Sequence, residues 1–147
     1  VLIIYASMYG NTEIAANTLA TKLYEKGLTK VAMYDVSNTH ISYLISETFK
    51  YSHVVLASVT YNLGIYPLIH NYLMDMKALH LQNRTFALIE NGTWACKSGT
   101  LMREFLENEL RDITLLDEKL TLNSSLTEDN DSDLDAMAES LIESLKK

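Results

Sequence analysis

Ser7-Met8-Tyr9-Gly10-Asn11-Thr12 sets two hydroxyls, a side-chain amide and a glycine within six residues, with no Lys or Arg among them. Such a group binds an anion through neutral dipoles. Ser7, Thr12 and Asn11 supply donors, and Gly10 lets the backbone turn closely. The stretch follows a short apolar run, Val1-Leu2-Ile3-Ile4-Tyr5, and precedes a helix-periodic segment. It therefore lies where a buried strand feeds a helix N-terminus, whose first amides lack internal partners and whose dipole is positive. A phosphomonoester carrying two charges suits that arrangement. A capped turn, with Asn11 or Thr12 as N-cap and no ligand, fits the same six residues.

The elements that position this loop alternate along the chain. Residues 1–6 read as a first strand. A helix over about 11–26 places Ala15, Ala16, Leu19, Ala20 and Leu23 on one face, and Gly27 closes it. A second strand covers 30–36, and Ser37, Asn38 and Thr39 are cap candidates for a short helix with Ile41, Leu44, Ile45 and Phe49 inward. Residues 53–58 form a third strand, whose run Val54-Val55-Leu56 indicates burial on both faces. Pro67 suits the first turn of a helix burying Leu68, Ile69, Tyr72, Leu73 and Met76.

A fourth strand follows at 85–89, then a helix marked by Leu101, Met102, Phe105 and Leu106. The last strand, 113–122, is interrupted by Asp117-Glu118-Lys119 and is expected to be split or bulged. Leu134, Met137, Ala138, Leu141, Ile142 and Leu145 keep helical spacing in the final helix. The acidic stretch 128–135 reads as a solvated helix entrance, with a docking patch as the alternative. Five strands alternating with five helices imply an α/β fold, a doubly wound five-stranded parallel sheet with right-handed crossovers.

At 147 residues one domain is expected, and 48% hydrophobic with 21% charged residues describes an ordinary globular chain. A net charge of −7 argues against a nucleic-acid partner, which needs a basic footprint. The apolar runs are too short for a membrane span, and no signal-peptide pattern is present. One cysteine, Cys96, excludes an internal disulfide and fits a reducing compartment such as the cytoplasm. Its surroundings offer little beyond Lys97 to activate it, so it reads as passive. His40, His53, His70 and His80 are scattered without metal-ligand spacing, so no metal site is expected.

The hydroxyl-x-x-Gly-Asn-Thr pattern of the first loop resembles the phosphate-binding loop of the flavodoxin family. Its Ser-Met-Tyr-Gly-Asn-Thr form is most similar to the flavodoxin domain of flavodiiron (A-type) flavoproteins. Thr60-Tyr61-Asn62-Leu63-Gly64 is similar to the family stretch Ser-Pro-Thr-x-Asn-x-Gly, with Val59 where that stretch has Pro. Glu90-Asn91-Gly92-Thr93-Trp94 is similar to Gly-Ser-Tyr-Gly-Trp, with Glu90 in place of a small residue and Thr93 in place of glycine. The resemblance covers the whole chain. It implies the flavodoxin-like strand order 2-1-3-4-5, with the switch point between the first and third strands, where the first two of these loops lie.

The resemblance also implies FMN as cofactor. Its phosphate is expected on Ser7, Met8, Tyr9, Gly10, Asn11 and Thr12. Its ring is expected between Thr60, Tyr61, Asn62 and Gly64 on one side and Asn91, Gly92, Thr93 and Trp94 on the other. Tyr61 and Trp94 are the stacking candidates. A surface tyrosine and a core tryptophan are the plain alternatives. Glu90 beside a flavin would disfavour an anionic reduced ring and lower its potential, whereas a Glu90 turned to solvent would do neither.

Functionally, the resemblance implies an electron-transfer domain. It would accept electrons from a rubredoxin or a flavin reductase and pass them to a diiron oxygen or nitric oxide reductase site. The His/Glu/Asp motifs for two irons are absent here, so the diiron domain would belong to a parent protein. The chain is expected to be a single domain, residues 1–147, cut from a longer multidomain protein, with a trimmed or processed N-terminus as the alternative. The family's head-to-tail dimer implies at most a weak homodimer of this chain alone. Two other readings remain: a stand-alone NAD(P)H-dependent FMN or quinone oxidoreductase, for which Lys97 is the sole basic residue near the loops, and a flavin-free interaction domain. If Tyr61 or Trp94 stacks on the ring, the fluorescence of bound FMN is largely quenched. A bright complex in a flavin titration would count against both.

Overall fold

A computed structural model describes residues 1–8, 10–61, 64–92, 97–116, 120–122 and 127–146, without the side chain of Tyr61. Strand β1 (Leu2–Ala6) is apolar and buried at every position because both of its faces are covered. Leu2, Ile4 and Ala6 enter one hydrophobic cluster, and Ile3 and Tyr5 enter another on the opposite face. β3 (His53–Tyr61) and β5 (Gln82–Asn91) divide in the same way. Val54, Leu56, Phe86 and Leu88 join the first cluster; Val55, Ala57, Ala87 and Ile89 join the second. The period-two alternation thus divides a continuous apolar run between two cores.

The first core is closed by helices α2 (Ile41–Thr48), α3 (Pro67–Ala78) and α4 (Ser98–Glu109). The second is closed by α1 (Asn11–Glu25) and α5 (Glu128–Leu145). The sheet runs β2 (Ala32–Asp35), β1, β3, β5, β6 (Arg111–Leu115), every one of these pairs parallel. β6 lies against the first half of β5, and β7 (Leu120–Leu122) continues along Ile89–Asn91, so the last strand is split as its charged interruption suggested. Residues 117–119 of that interruption lie outside the described residues. The order is the doubly wound 2-1-3-4-5, with one addition. β4 (Gly64–Ile65) turns back antiparallel on the end of β3, pairing Thr60 with Ile65 and Tyr61 with Gly64. Thr60 and Tyr61 therefore belong to a strand extension rather than to the loop expected after residue 58.

Three local expectations need correction. The cap of α2 is His40, whose Nδ1 accepts from the Ser42 amide at 3.2 Å. Ser37 and Asn38 instead donate to the Asp35 carboxylate in a tight turn, at 2.8 and 3.0 Å. Phe49 is 45% exposed because it falls at the end of α2, where the Arg84 guanidinium covers its ring 6.0 Å from the centroid. Leu68, on the outer side of the first turn of α3, is 38% exposed.

The acidic run 128–135 is a solvated helix entrance, with Asp131 and Asp135 keeping 54% and 50% of their side chains exposed. Asp131 and Asp135 bind Lys22 at 3.2 and 3.0 Å, and Glu139 binds Lys26 at 3.0 Å. One row of α5 acids is therefore turned onto α1 rather than only to solvent, while Thr127 and Asn130 form a capping box at its start. Such part-exposed pairs add about 0–1 kcal/mol each, so they set the registry of the two helices more than their stability.

At the opposite end of the sheet from the loops, His53 is buried. Its ring nitrogens bond Ser52 Oγ at 2.7 Å and Ser144 Oγ at 2.9 Å, tying β3 to α5. Burial pushes its pKa below the ordinary histidine value. The unfolded chain takes up this proton at a higher pH than the folded one. The stabilising contribution is therefore complete above about pH 6.5 and is lost as pH falls from there toward the lowered folded value. In a histidine NMR titration the His53 ring is expected to titrate below about pH 6.5, and His53→Gln should flatten the fall in melting temperature under that pH. A His53 ring titrating at or above that value would overturn the assignment.

Candidate functional site

The chain leaves β1 at Ser7 and must turn sharply to begin α1. Gly10 makes the turn at φ 86°, in the left-handed region, and Ser7 Oγ accepts its amide at 2.9 Å. Gly10 is the N-cap of α1, and among the described residues no side chain caps this helix. A Cβ added at Gly10 would meet nothing within 4 Å, so open space adjoins the helix N-terminus. A helix start with bare amides, a left-handed glycine and room beside it meets the requirements of a phosphate group. Glu13, the acid of that first turn, accepts from the Tyr5 hydroxyl at 3.2 Å. Burial, with the Glu13 and Asp35 carboxylates beside it, raises the Tyr5 pKa to about 12, so its hydroxyl stays a donor to Glu13.

The six residues of the first loop do not share one environment. Ser7, Gly10 and Asn11 are part-exposed, Met8 is 49% exposed, and Tyr9 lies outside the described residues. Thr12 is fully buried, and its Oγ1 accepts from Asn91 Nδ2 at 3.3 Å. The first and third loops are thereby joined beneath the surface, Thr12 facing inward to Asn91.

A second set of contacts joins the second and third loops. Thr60 Oγ1 accepts the amides of Lys97 and Ser98, both at 3.3 Å. Its hydroxyl donates to Ser98 Oγ at 3.2 Å, which in turn donates to the Ser58 carbonyl at 3.3 Å. Thr60 thus serves as a cap for α4 from a different strand, where the adjoining residue Lys97 supplies none. Gly92 donates its amide to the Leu122 carbonyl at 3.2 Å, fastening the third loop to β7.

Glu90 is buried, at 2% exposure, and is not turned to solvent. Its Oε2 accepts the Gly99 amide and its Oε1 the Thr121 hydroxyl, each at 2.7 Å. Sequence reasoning missed Ser58, Ser98, Gly99 and Thr121 as parts of this assembly. A signal existed for two of them. Ser98-Gly99 directly precedes the apolar run Leu101-Met102-Phe105, a helix-start pattern. Asn62, Thr93, Trp94 and Cys96 lie outside the described residues, as does the side chain of Tyr61, so their expected roles rest on sequence. Gly64 is part-buried in β4 and Asn91 is buried at the end of β5. Among the described residues no group of three or more His, Cys, Asp or Glu is placed to hold a metal, and no helix is long and apolar enough to cross a membrane.

The family model for flavodoxin matches residues 3–112. Rubredoxin-oxygen oxidoreductase of Megalodesulfovibrio gigas is 31% identical over 106 residues, which are 72% of this chain and 26% of that protein. The chain spans about a quarter of the length of the curated relatives it matches. Among solved structures, rubredoxin oxygen:oxidoreductase from the anaerobe Desulfovibrio gigas superposes with a TM-score of 0.86 at 28% identity, over 99% of this chain and 35% of that one. A flavodoxin from Streptococcus pneumoniae TIGR4 superposes with a TM-score of 0.79 at 21% identity, over 97% of both chains, a likeness of fold.

Thr60 carries the junction of two loops through one hydroxyl. Thr60→Val keeps its shape and removes the acceptor for two amides, at an expected cost of about 1–3 kcal/mol. Ser98→Ala, which leaves those amides served, should cost less. Denaturant midpoints of the two variants measure the difference, and equal losses would remove the capping role.

Proposed function

The chain belongs to the flavodoxin family, whose cofactor is FMN, and we propose that it is the FMN-carrying electron-transfer domain of a longer oxidoreductase. One observation carries the reading. An uncapped helix N-terminus with a left-handed glycine lies at the sheet's switch point, beside the cross-tied ends of β3 and β5. Bound FMN supplies electron storage and transfer, and the protein supplies binding, orientation and electrostatics.

In this reading the phosphate is held by Ser7, Gly10 and Asn11 and by the first amides of α1. Thr12 acts from beneath by holding Asn91. The strand extension at Thr60 and Tyr61 with Asn62 and Gly64 forms one wall for the ring, and Asn91, Gly92, Thr93 and Trp94 form the other. No Lys or Arg lies in the first loop, so the phosphate charge is met by dipoles, and the ring is not drawn toward a cation there.

The relay is the finer part of the proposal. A relative named rubredoxin-oxygen oxidoreductase, of which this chain matches about a quarter, supports electron entry from a rubredoxin. A flavin reductase as the other donor, and exit to a diiron centre elsewhere in the parent protein, are what the flavodiiron resemblance of the loop motifs implies. Residues 1–147 then form one domain of that protein, acting in the cytoplasm. Its dimer would be held mainly by the remainder of the parent.

Titration with FMN and with riboflavin, followed by flavin fluorescence and visible absorbance, tests the reading. FMN should bind more tightly than riboflavin. Gly10→Ala places a methyl group in the open space beside α1 and strains the backbone by about 1–2 kcal/mol, so it should weaken FMN more than riboflavin. Equal weakening removes the phosphate assignment. Absence of any flavin binding removes the function.

A further inference from the structure

The buried acid under the third loop has no counterpart in the small residue that the resembled pattern carries there, and its contacts show what it does. Glu90 is the second-last residue of β5, and Gly99 lies in the first turn of α4. Between them runs the segment proposed to wall the ring. The carboxylate reaches across from one end of that segment to the other, accepting the Gly99 amide at 2.7 Å. Its second oxygen accepts the hydroxyl of Thr121, its register partner on β7, also at 2.7 Å.

Each bond is short, as expected when the acceptor is charged. The Gly99 amide belongs to the set that a helix leaves unserved at its start, and the carboxylate meets the positive end of the α4 dipole. A buried carboxylate is costly unless donors hold it, so the side chain depends on such partners. The other ties of this segment hold one end each. Asn91 bonds Thr12 and Gly92 bonds Leu122 at the entry, while Ser98 bonds Ser58 and Thr60 at the exit. Glu90 bonds across.

We propose that Glu90 is a positioning residue for flavin. Its carboxylate ties the end of β5 to β7 and to the first turn of α4, and thereby positions Asn91 and Gly92 at the start of the proposed ring wall. The proposal rests on the flavin reading above. It also separates shape from charge. In Glu90→Gln the side-chain oxygen still accepts from Gly99, and the new amide donates to Thr121 Oγ1. The brace survives and the charge does not. Glu90→Ala removes both.

The test uses the whole chain and three variants. Glu90→Ala should weaken FMN and riboflavin in parallel, by about tenfold or more, because the ring wall and not the phosphate site is disturbed. Glu90→Gln should restore both affinities to within a few-fold. Amide exchange of the flavin-free chain supplies an independent readout: the Gly99 amide should exchange faster in Glu90→Ala and slowly again in Glu90→Gln. Should Glu90→Ala fail to fold, Thr121→Val removes one of the two bonds and should weaken both flavins by a smaller factor. Unchanged flavin affinities in Glu90→Ala, or in Thr121→Val where it stands in, would overturn the proposal. So would a loss in Glu90→Gln as large as in Glu90→Ala. If the unaltered chain binds neither flavin, the flavin reading and the positioning role fall together, while Gly99 exchange still decides whether the brace exists.

Discussion

Two helices, α1 and α4, begin at the same edge of the sheet, and each leaves its first amides without partners inside the helix. The chain resolves the two cases differently. At α4 the protein fills the site itself: Thr60 takes the amides of Lys97 and Ser98, and Glu90 takes that of Gly99. At α1 no side chain among the described residues caps the helix, and the space beside Gly10 is open. One helix start is thus occupied by an internal carboxylate, and the other is not. The chemistry of this face follows from that asymmetry.

The asymmetry depends on how the sheet is built. β1, β3 and β5 are buried on both faces through most of their length, so they carry no polar side chains where the helices cover them. At the end of the sheet where α1 and α4 begin, the strands carry polar residues: Ser58 and Thr60 on β3, Glu90 and Asn91 on β5. Because neighbouring strands are parallel and in register, Ser58 lies beside Glu90 and Val59 beside Asn91. The ends of separate strands therefore form one polar layer, and side chains far apart in sequence bond across it. Thr12 of α1 bonds Asn91 and Ser98 of α4 bonds Thr60, so both helix starts are tied to that layer.

The opposite end of the sheet is built from different materials. His53 bonds two hydroxyls, and burial lowers its pKa. Along the outer flank, Lys22 and Lys26 pair with acids of α5 and align the two helices that close the second core. The net charge of −7 is consequently not spread evenly as a solvated coat, since part of the acidic run faces a helix neighbour.

Much of this molecule is legible in the residues alone. Continuous apolar strands, helical spacing and the Pro67 and Gly27 punctuation are local signals, and each acts over a few residues. The α/β class and the sites of the loops after β1 and β5 follow from them, and the loop motifs carry the family resemblance. Three things were decided only by the tertiary structure. Thr60 became a strand residue because pairing with β4 and β5 extends β3 past its apolar run. Thr12, read as part of an exposed cradle, turned inward to Asn91. Glu90, for which solvent and ligand were equal prospects, became a buried brace because Gly99 and Thr121 arrive from elements 9 and 31 residues away. A carboxylate's fate depends on which donors surround it, and those donors are brought together by register and helix packing, which no stretch of neighbouring residues encodes.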